Sequence, residues 1–137
     1  MNKYFVDTNL FLRFLTNDIP EQSRVLERLM RRSENGEINL ISNSMVIAEI
    51  VWTLESFYKF SKAKIDEIVS PIVASGSIEF DERDVLLQAL EDFHTLNIDF
   101  IDAYIAGWMK EMGIDEIFTL NTKDFKRIHG IQIAHLS

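Results

Sequence analysis

Short apolar runs alternate with longer amphipathic ones along the chain, and the alternation predicts strands separated by helices. Tyr4-Phe5-Val6 reads as a strand ending at Asp7, and Leu10-Phe11-Leu12 with Phe14-Leu15 cluster as on a helix. Pro20 opens a helix with Val25, Leu26, Leu29 and Met30 on one face and Glu21, Arg24, Arg28 and Arg31 on the other, which Asn35-Gly36 stops. Ile38-Asn39-Leu40-Ile41 is a second strand, and Ser42-Asn43-Ser44 offers three N-caps for a helix over about 45–58. The first turns of that helix are apolar nearly all round, which predicts deep burial. Ser61 or Asp66 opens a further helix to about Ala74, Ser75-Gly76-Ser77 breaks it, and Ile78-Glu79-Phe80 is a short strand. Val85, Leu86, Ala89, Leu90 and Phe93 mark an amphipathic helix over 84–96, and Asp99 begins another that stops at Gly113. A strand over 116–120, a short helix over 123–128 and a last strand over 131–133 complete the pattern.

Strands separated by helices of this length imply an α/β fold, with a central parallel sheet covered by helices on both faces. In such sheets ligands bind beyond the carboxyl ends of the strands. No repeat, low-complexity stretch or linker interrupts the 137 residues, so 1–137 reads as one domain.

Composition narrows the chemistry. With 47% hydrophobic and 26% charged residues the chain is globular, and with no cysteine it has no disulfide, thiolate nucleophile or Cys-ligated metal. No apolar run reaches the ~18–20 residues of a membrane span, and the opening Met-Asn-Lys-Tyr-Phe-Val is too short for a signal peptide, so a cytoplasmic protein is expected. Fourteen Lys and Arg against 22 Asp and Glu give a formal charge of −8, which argues against passive binding of nucleic acid.

Acids in apolar surroundings change that picture. Asp7 ends the first strand, Glu49 sits within Met45-Val46-Ile47-Ala48-Glu49-Ile50-Val51-Trp52, and Asp102 lies within Ile98-Asp99-Phe100-Ile101-Asp102-Ala103. An ionised carboxylate taken out of water is costly unless it is paired, hydrogen-bonded or bound to metal. Plainer roles compete. Asp7 could cap the first helix, and Asp99 with Asp102 could form a capping-box-like pair. Glu49 is too far inside its helix to cap, and Arg13 is the candidate cation for it. A fourth polar cluster, Thr119-Leu120-Asn121-Thr122-Lys123-Asp124-Phe125, follows a strand and could simply be a turn capped by Thr122. Oxygen ligands without cysteine suit a hard cation such as Mg²⁺ or Mn²⁺. His94, His129 and His135 are not at metal-ligand spacing and read as surface residues.

In order and context, Val6-Asp7-Thr8-Asn9, Ala48-Glu49-Ile50, Asp99-Phe100-Ile101-Asp102-Ala103 and the 119–125 cluster resemble the four signature segments of PIN domains. The compact length and the opening Asp7-Thr8-Asn9 followed by Arg13-Phe14-Leu15 look most like VapC-type toxins, the ribonuclease halves of toxin–antitoxin pairs. The resemblance implies a three-layer α/β/α sandwich and Mg²⁺- or Mn²⁺-dependent cleavage of RNA. It makes Asp7, Glu49 and Asp102 the catalytic metal ligands, with Asp99 as an additional acid. The family's fourth acid often stands where this chain has Asn121, with Asp124 three residues later, which leaves open whether Asn121, Asp124 or neither supports a second metal. Thr8, Asn9 and Asn121 are then candidates for hydrogen-bonding phosphate or water, and Arg13, Lys123 and Lys126 for the RNA backbone.

The resemblance also implies a small antitoxin protein and a homodimer as partners. The aromatic stretch Trp52, Phe57, Tyr58 and Phe60 is core by default, or else a groove for such a partner. Two divalent ions would bring the formal charge to about −4 and place positive charge where a phosphate must sit. Two alternatives remain. A Mg²⁺-dependent phosphatase with an aspartyl nucleophile needs a second Asp where Asn9 stands, and a non-catalytic interaction module would merely keep the acids.

Overall fold

Backbone hydrogen bonding in residues 2–136, which this computed structural model describes, follows the strand–helix alternation. Contacts within the chain divide it into two units, Met1–Arg83 and Asp84–Ser137.

The first unit runs β1 (Lys3–Phe5), α1 (Thr8–Thr16), α2 (Pro20–Ser23), α3 (Val25–Glu34), β2 (Asn39–Ser42), α4 (Ser44–Ser56), α5 (Lys62–Ala74) and β3 (Ile78–Phe80). Its strands form a parallel sheet in the order β1-β2-β3, with Tyr4 opposite Leu40 and Leu40 opposite Ile78. Alternate side chains Leu40, Ser42, Ile78 and Phe80 are buried, whereas Lys3, Asn39 and Glu79 on the opposite face are open. β1 begins and ends one residue earlier than the apolar pattern predicts. Val6 still donates its N–H to the Ile41 carbonyl at 2.8 Å, which carries the pairing to the residue before Asp7.

The helix predicted to open at Pro20 is split at Arg24, whose backbone (φ −94°, ψ −3°) leaves regular helical geometry. Ser23 contributes to the break, because its hydroxyl donates back to the Pro20 carbonyl at 3.0 Å. Of the three candidate caps before α4, Asn43 is the one used, accepting from the Val46 N–H at 3.2 Å. For α5 the cap is Ser61, which accepts from the Lys64 N–H at 3.1 Å. Pro71 lies inside α5 rather than at its start, and removes one backbone donor from it.

Leu26, Ile47, Ile50, Leu54, Ile65 and Ile78 are fully buried and form the core of this unit. Leu54→Ala, a truncation at such a position, is expected to lower stability by about 2–5 kcal/mol. Chemical denaturation of both proteins would read this as a lower midpoint at an unchanged slope.

The second unit is built from α6 (Arg83–Thr95, whose first residue closes the first unit), α7 (Phe100–Glu111), β4 (Glu116–Ile117), α8 (Thr122–Phe125) and β5 (Gln132–Ile133). Val85, Leu86, Ala89, Leu90 and Phe93 are the buried residues of α6, the set that its helical spacing predicts. Phe93 meets Phe100 of α7 edge to face, with ring centroids 6.0 Å apart. β4 and β5 pair in parallel, Glu116 opposite Gln132, and both are shorter than predicted. The chain after Ile117 leaves the strand early, so Phe118 and Leu120 are exposed.

Candidate active site

In the first unit the chemistry gathers where β1 turns into α1. Asp7 is the N-cap of α1 in extended geometry (φ −89°, ψ 166°), and its Oδ1 accepts from the Thr8 N–H at 2.7 Å. The adjoining hydroxyl of Thr8, itself buried, donates to Oε1 of Glu49 on α4. Thr8 therefore links both acids: its N–H is held by Asp7, and its side chain holds Glu49. Ser42 fixes the neighbouring strand end, its hydroxyl donating to the Val6 carbonyl at 2.9 Å. A cavity of about 430 Å³ at the carboxyl ends of all three strands is lined by Phe5, Ser42, Asn43, Phe80 and Asp81, and neither Asp7 nor Glu49 lines it.

Burial here differs from the sequence expectation. Asp7 and Glu49 are both exposed. Helix α4 buries Val46, Ile47, Ile50, Val51 and Leu54, while its opposite face carries Met45, Glu49 and Trp52 to solvent. That sequence is apolar nearly all round, so composition alone could not show which stripe faces out. For the same reason Trp52 and Phe57 are not core residues; they are 67% and 74% exposed.

Arg13 is not the partner of Glu49. Its guanidinium pairs with Asp18 at 3.2 Å and donates to the Gln22 side chain at 3.2 Å. The Tyr58 hydroxyl also donates to Asp18 at 2.8 Å, and that bond, helped by Arg13, holds the Asp18 carboxyl below its ordinary pKa. No sequence motif announced this cluster. Its members are drawn from α1, the following loop, α2 and the turn after α4. Asn9 sits exposed in the first turn of α1.

In the second unit Asp99 occupies the N-cap position of α7, yet its side chain makes no capping hydrogen bond. Asp102, one turn on, is half-buried and accepts from Nδ2 of Asn121 at 2.8 Å. The same Nδ2 lies 3.4 Å from Oδ2 of Asp124, so Asn121 stands between two carboxylates. Burial raises the Asp102 pKa, the negative charges of Asp99 and Asp124 raise it further, and the Asn121 hydrogen bond only partly offsets them. Asn121, not Thr122, holds the position before α8, and its own N–H donates to the Thr119 hydroxyl at 2.9 Å. Lys123 and Lys126 are exposed, as are His94, His129 and His135.

The PIN domain family model matches residues 4–131 of this sequence. The chain belongs to the PIN domain family. A VapC ribonuclease from Aquifex aeolicus (strain VF5) is 25% identical to this PIN domain over 123 residues, covering 90% of each chain. No solved structure matches it significantly. The family assignment agrees with the α/β class and parallel pairing read from the sequence, and the three-layer α/β/α fold is that of the PIN domain.

The carboxylate of Asp102 is of the donor type that suits a hard divalent cation. Asp102 is a partly desolvated carboxylate beside two like charges, and it is relieved by a hydrogen bond from the Asn121 amide. A cation there would offset both the repulsion and the desolvation. Among the described residues, no three of His, Cys, Asp and Glu are close enough together to form a metal-holding group. The acids at hand are the exposed pair Asp7 and Glu49 in the first unit, and the Asp99, Asp102 and Asp124 set in the second. No helix among the described residues is long and apolar enough to cross a membrane.

Proposed function

We propose that this PIN domain is a Mg²⁺- or Mn²⁺-dependent endoribonuclease, acting in the cytoplasm as the toxin of a toxin–antitoxin pair. The observation that carries the reading is the Asp102 carboxylate, destabilised by burial and by Asp99 and Asp124, in a chain similar over 90% of its length to a VapC ribonuclease. Asp7, Glu49 and Asp102 are assigned as metal ligands, with Asp99 as a further acid. This follows the order of the four family segments along the chain. When bound, a divalent ion would activate water and neutralise the scissile phosphate and the leaving oxygen.

The chain's own residues prepare for that role. Thr8 orients Glu49 through its hydroxyl while its N–H holds Asp7, so the two carboxylates are positioned by one residue. Asn121 orients Asp102 and leaves its other oxygen available. Asp124, through its charge and its contact with Asn121, and the exposed Asn9 complete the polar surroundings. Arg13 serves as a brace for Asp18 first, so any contact it makes with RNA would draw on donors left over from that pair.

An antitoxin and a second copy of the chain are proposed as partners. Ile101 and Trp108 on α7 and Met112 at its C-cap support this, since they follow one stripe and are 48%, 40% and 59% exposed.

The test is incubation of the purified protein with single-stranded and structured RNAs in EDTA, Mg²⁺ and Mn²⁺. Cleavage that appears only with added metal is the expected result. Metal-independent cleavage would remove the assigned role of the acids. No cleavage of any RNA would favour the non-catalytic interaction module.

A further inference from the structure

A second cavity of the first unit, about 450 Å³ in volume, is lined chiefly by Lys3, Ser33, Asn39, Ser77, Glu79 and Arg83. Lys3 and Asn39 stand opposite each other at the first positions of β1 and β2, and Ser77 immediately precedes β3. The cavity therefore lies toward the amino ends of the strands, whereas Asp7 follows the carboxyl end of β1.

Its charge is unbalanced. Lys3 and Arg83 line it against the carboxylate of Glu79, and no ion pair joins Glu79 to either cation among the described residues. The Nε–H of Arg83 is shut off from solvent and meets no acceptor. An unmatched buried donor on a charged group is costly, and native structures rarely leave one. The inner edge of this guanidinium gains nothing from the protein, so compensation has to reach it from the cavity, through its Nη donors.

We propose that this cavity binds a phosphate monoester, held by Lys3 and Arg83. The donor inventory selects the ligand. The Asn39 side-chain amide and the Ser77 hydroxyl make no hydrogen bond with another described residue, whereas the Ser77 N–H and carbonyl are engaged by the Ser75 and Ser33 hydroxyls. Two cations and two neutral donors outnumber the two oxygens of a carboxylate and suit the three terminal oxygens of a phosphate monoester. The volume lies in the range of small-molecule sites, which leaves room for the group that carries the phosphate. A free nucleotide and a 5′-phosphorylated RNA end present the same chemistry. The site uses no metal and does not rest on the ribonuclease reading.

The experiment uses the full chain in EDTA at constant ionic strength, with amide-resolved NMR as the readout. Adenosine 5′-monophosphate is titrated, with adenosine and acetate as controls. Saturable shifts of the Asn39 side-chain amide and the Ser77 N–H are expected with the monophosphate alone. Arg83→Gln and Lys3→Gln should each weaken its Kd about tenfold or more. Arg83→Lys, which keeps the charge and loses the planar fork, should retain part of the affinity. Glu79→Gln should tighten binding, because it removes the opposing charge, and a role confined to folding would not give effects of opposite sign. A wild-type-like spectrum establishes the fold of each variant. Short RNAs of one sequence with a 5′-phosphate or a 5′-hydroxyl separate the sources. Tighter binding of the phosphorylated RNA than of the mononucleotide assigns the site to an RNA end, and the reverse assigns it to a free nucleotide. No saturable shift at millimolar monophosphate overturns the proposal and leaves the Arg83 side chain to water. Equal shifts with acetate, or an unchanged Kd in Arg83→Gln, overturn it as well.

Discussion

Asp7→Asn is expected to lower metal-dependent RNA cleavage by roughly 10²–10³-fold or more while leaving the fold intact. The two halves of that expectation have separate causes. As cap of α1, Asp7 needs only an oxygen to accept the Thr8 N–H, and the Asn amide oxygen supplies one with nearly equal capping strength. The melting temperature should therefore move by no more than about 2 °C, a few tenths of a kcal/mol. As a ligand for a hard cation, by contrast, Asn loses the negative charge that makes the carboxylate useful. Cleavage assays across a Mg²⁺ and Mn²⁺ series, paired with thermal melts of both proteins, separate the roles. Wild-type cleavage in the purified variant would take Asp7 out of the mechanism and leave it as a helix cap.

These two candidate roles for Asp7 show how far the sequence could be read. Asp7 after a strand fits a cap and a ligand equally well, and the structure confirms the cap while leaving the carboxylate exposed to solvent. Helices such as α6 were legible because their buried residues recur at helical spacing against a polar background. In α4 almost every residue is apolar, so periodicity had nothing to contrast with, and Glu49 read as buried when it stands on the open face. The role of Arg13 was illegible for a different reason. Its partner Asp18 lies in a loop, and Tyr58, which donates to the same carboxylate, follows the end of a distant helix; pairing across such separations leaves no local pattern. β4 and β5 were found but drawn too long, because apolar residues such as Phe118 and Leu120 continue the strand pattern after the ladder has ended.

Asp102→Asn should produce the opposite pairing of effects: a metal-free protein more stable than wild type, and a loss of the stabilisation that metal brings. Burial, then Asp99, then Asp124 raise the pKa of the folded-state carboxyl above its ordinary value. The folded chain consequently holds this proton more tightly than the unfolded chain does. As pH rises through the interval between the two pKa values, the unfolded state is the one with fewer protons, so stability falls. Above that interval the ionised Asp102 opposes folding in full; below about pH 4 both states are protonated and the penalty is gone. Asn carries no charge at any pH and still offers an oxygen to the Asn121 Nδ2 that Asp102 accepts from. The variant should thus melt above wild type at neutral pH without metal, with the advantage vanishing toward pH 4. Added Mg²⁺ or Mn²⁺ is expected to reverse the order if the proposed metal site exists, because a ligand bound only by the folded state stabilises it, by about 2.7 kcal/mol at a hundredfold excess over Kd. Wild type should gain most of that, and the variant little. Melts over a pH series with EDTA or millimolar metal measure both effects. Equal melting points in EDTA at neutral pH would show that Asp102 is not strained by its neighbours, and a wild-type protein indifferent to metal would make these acids structural.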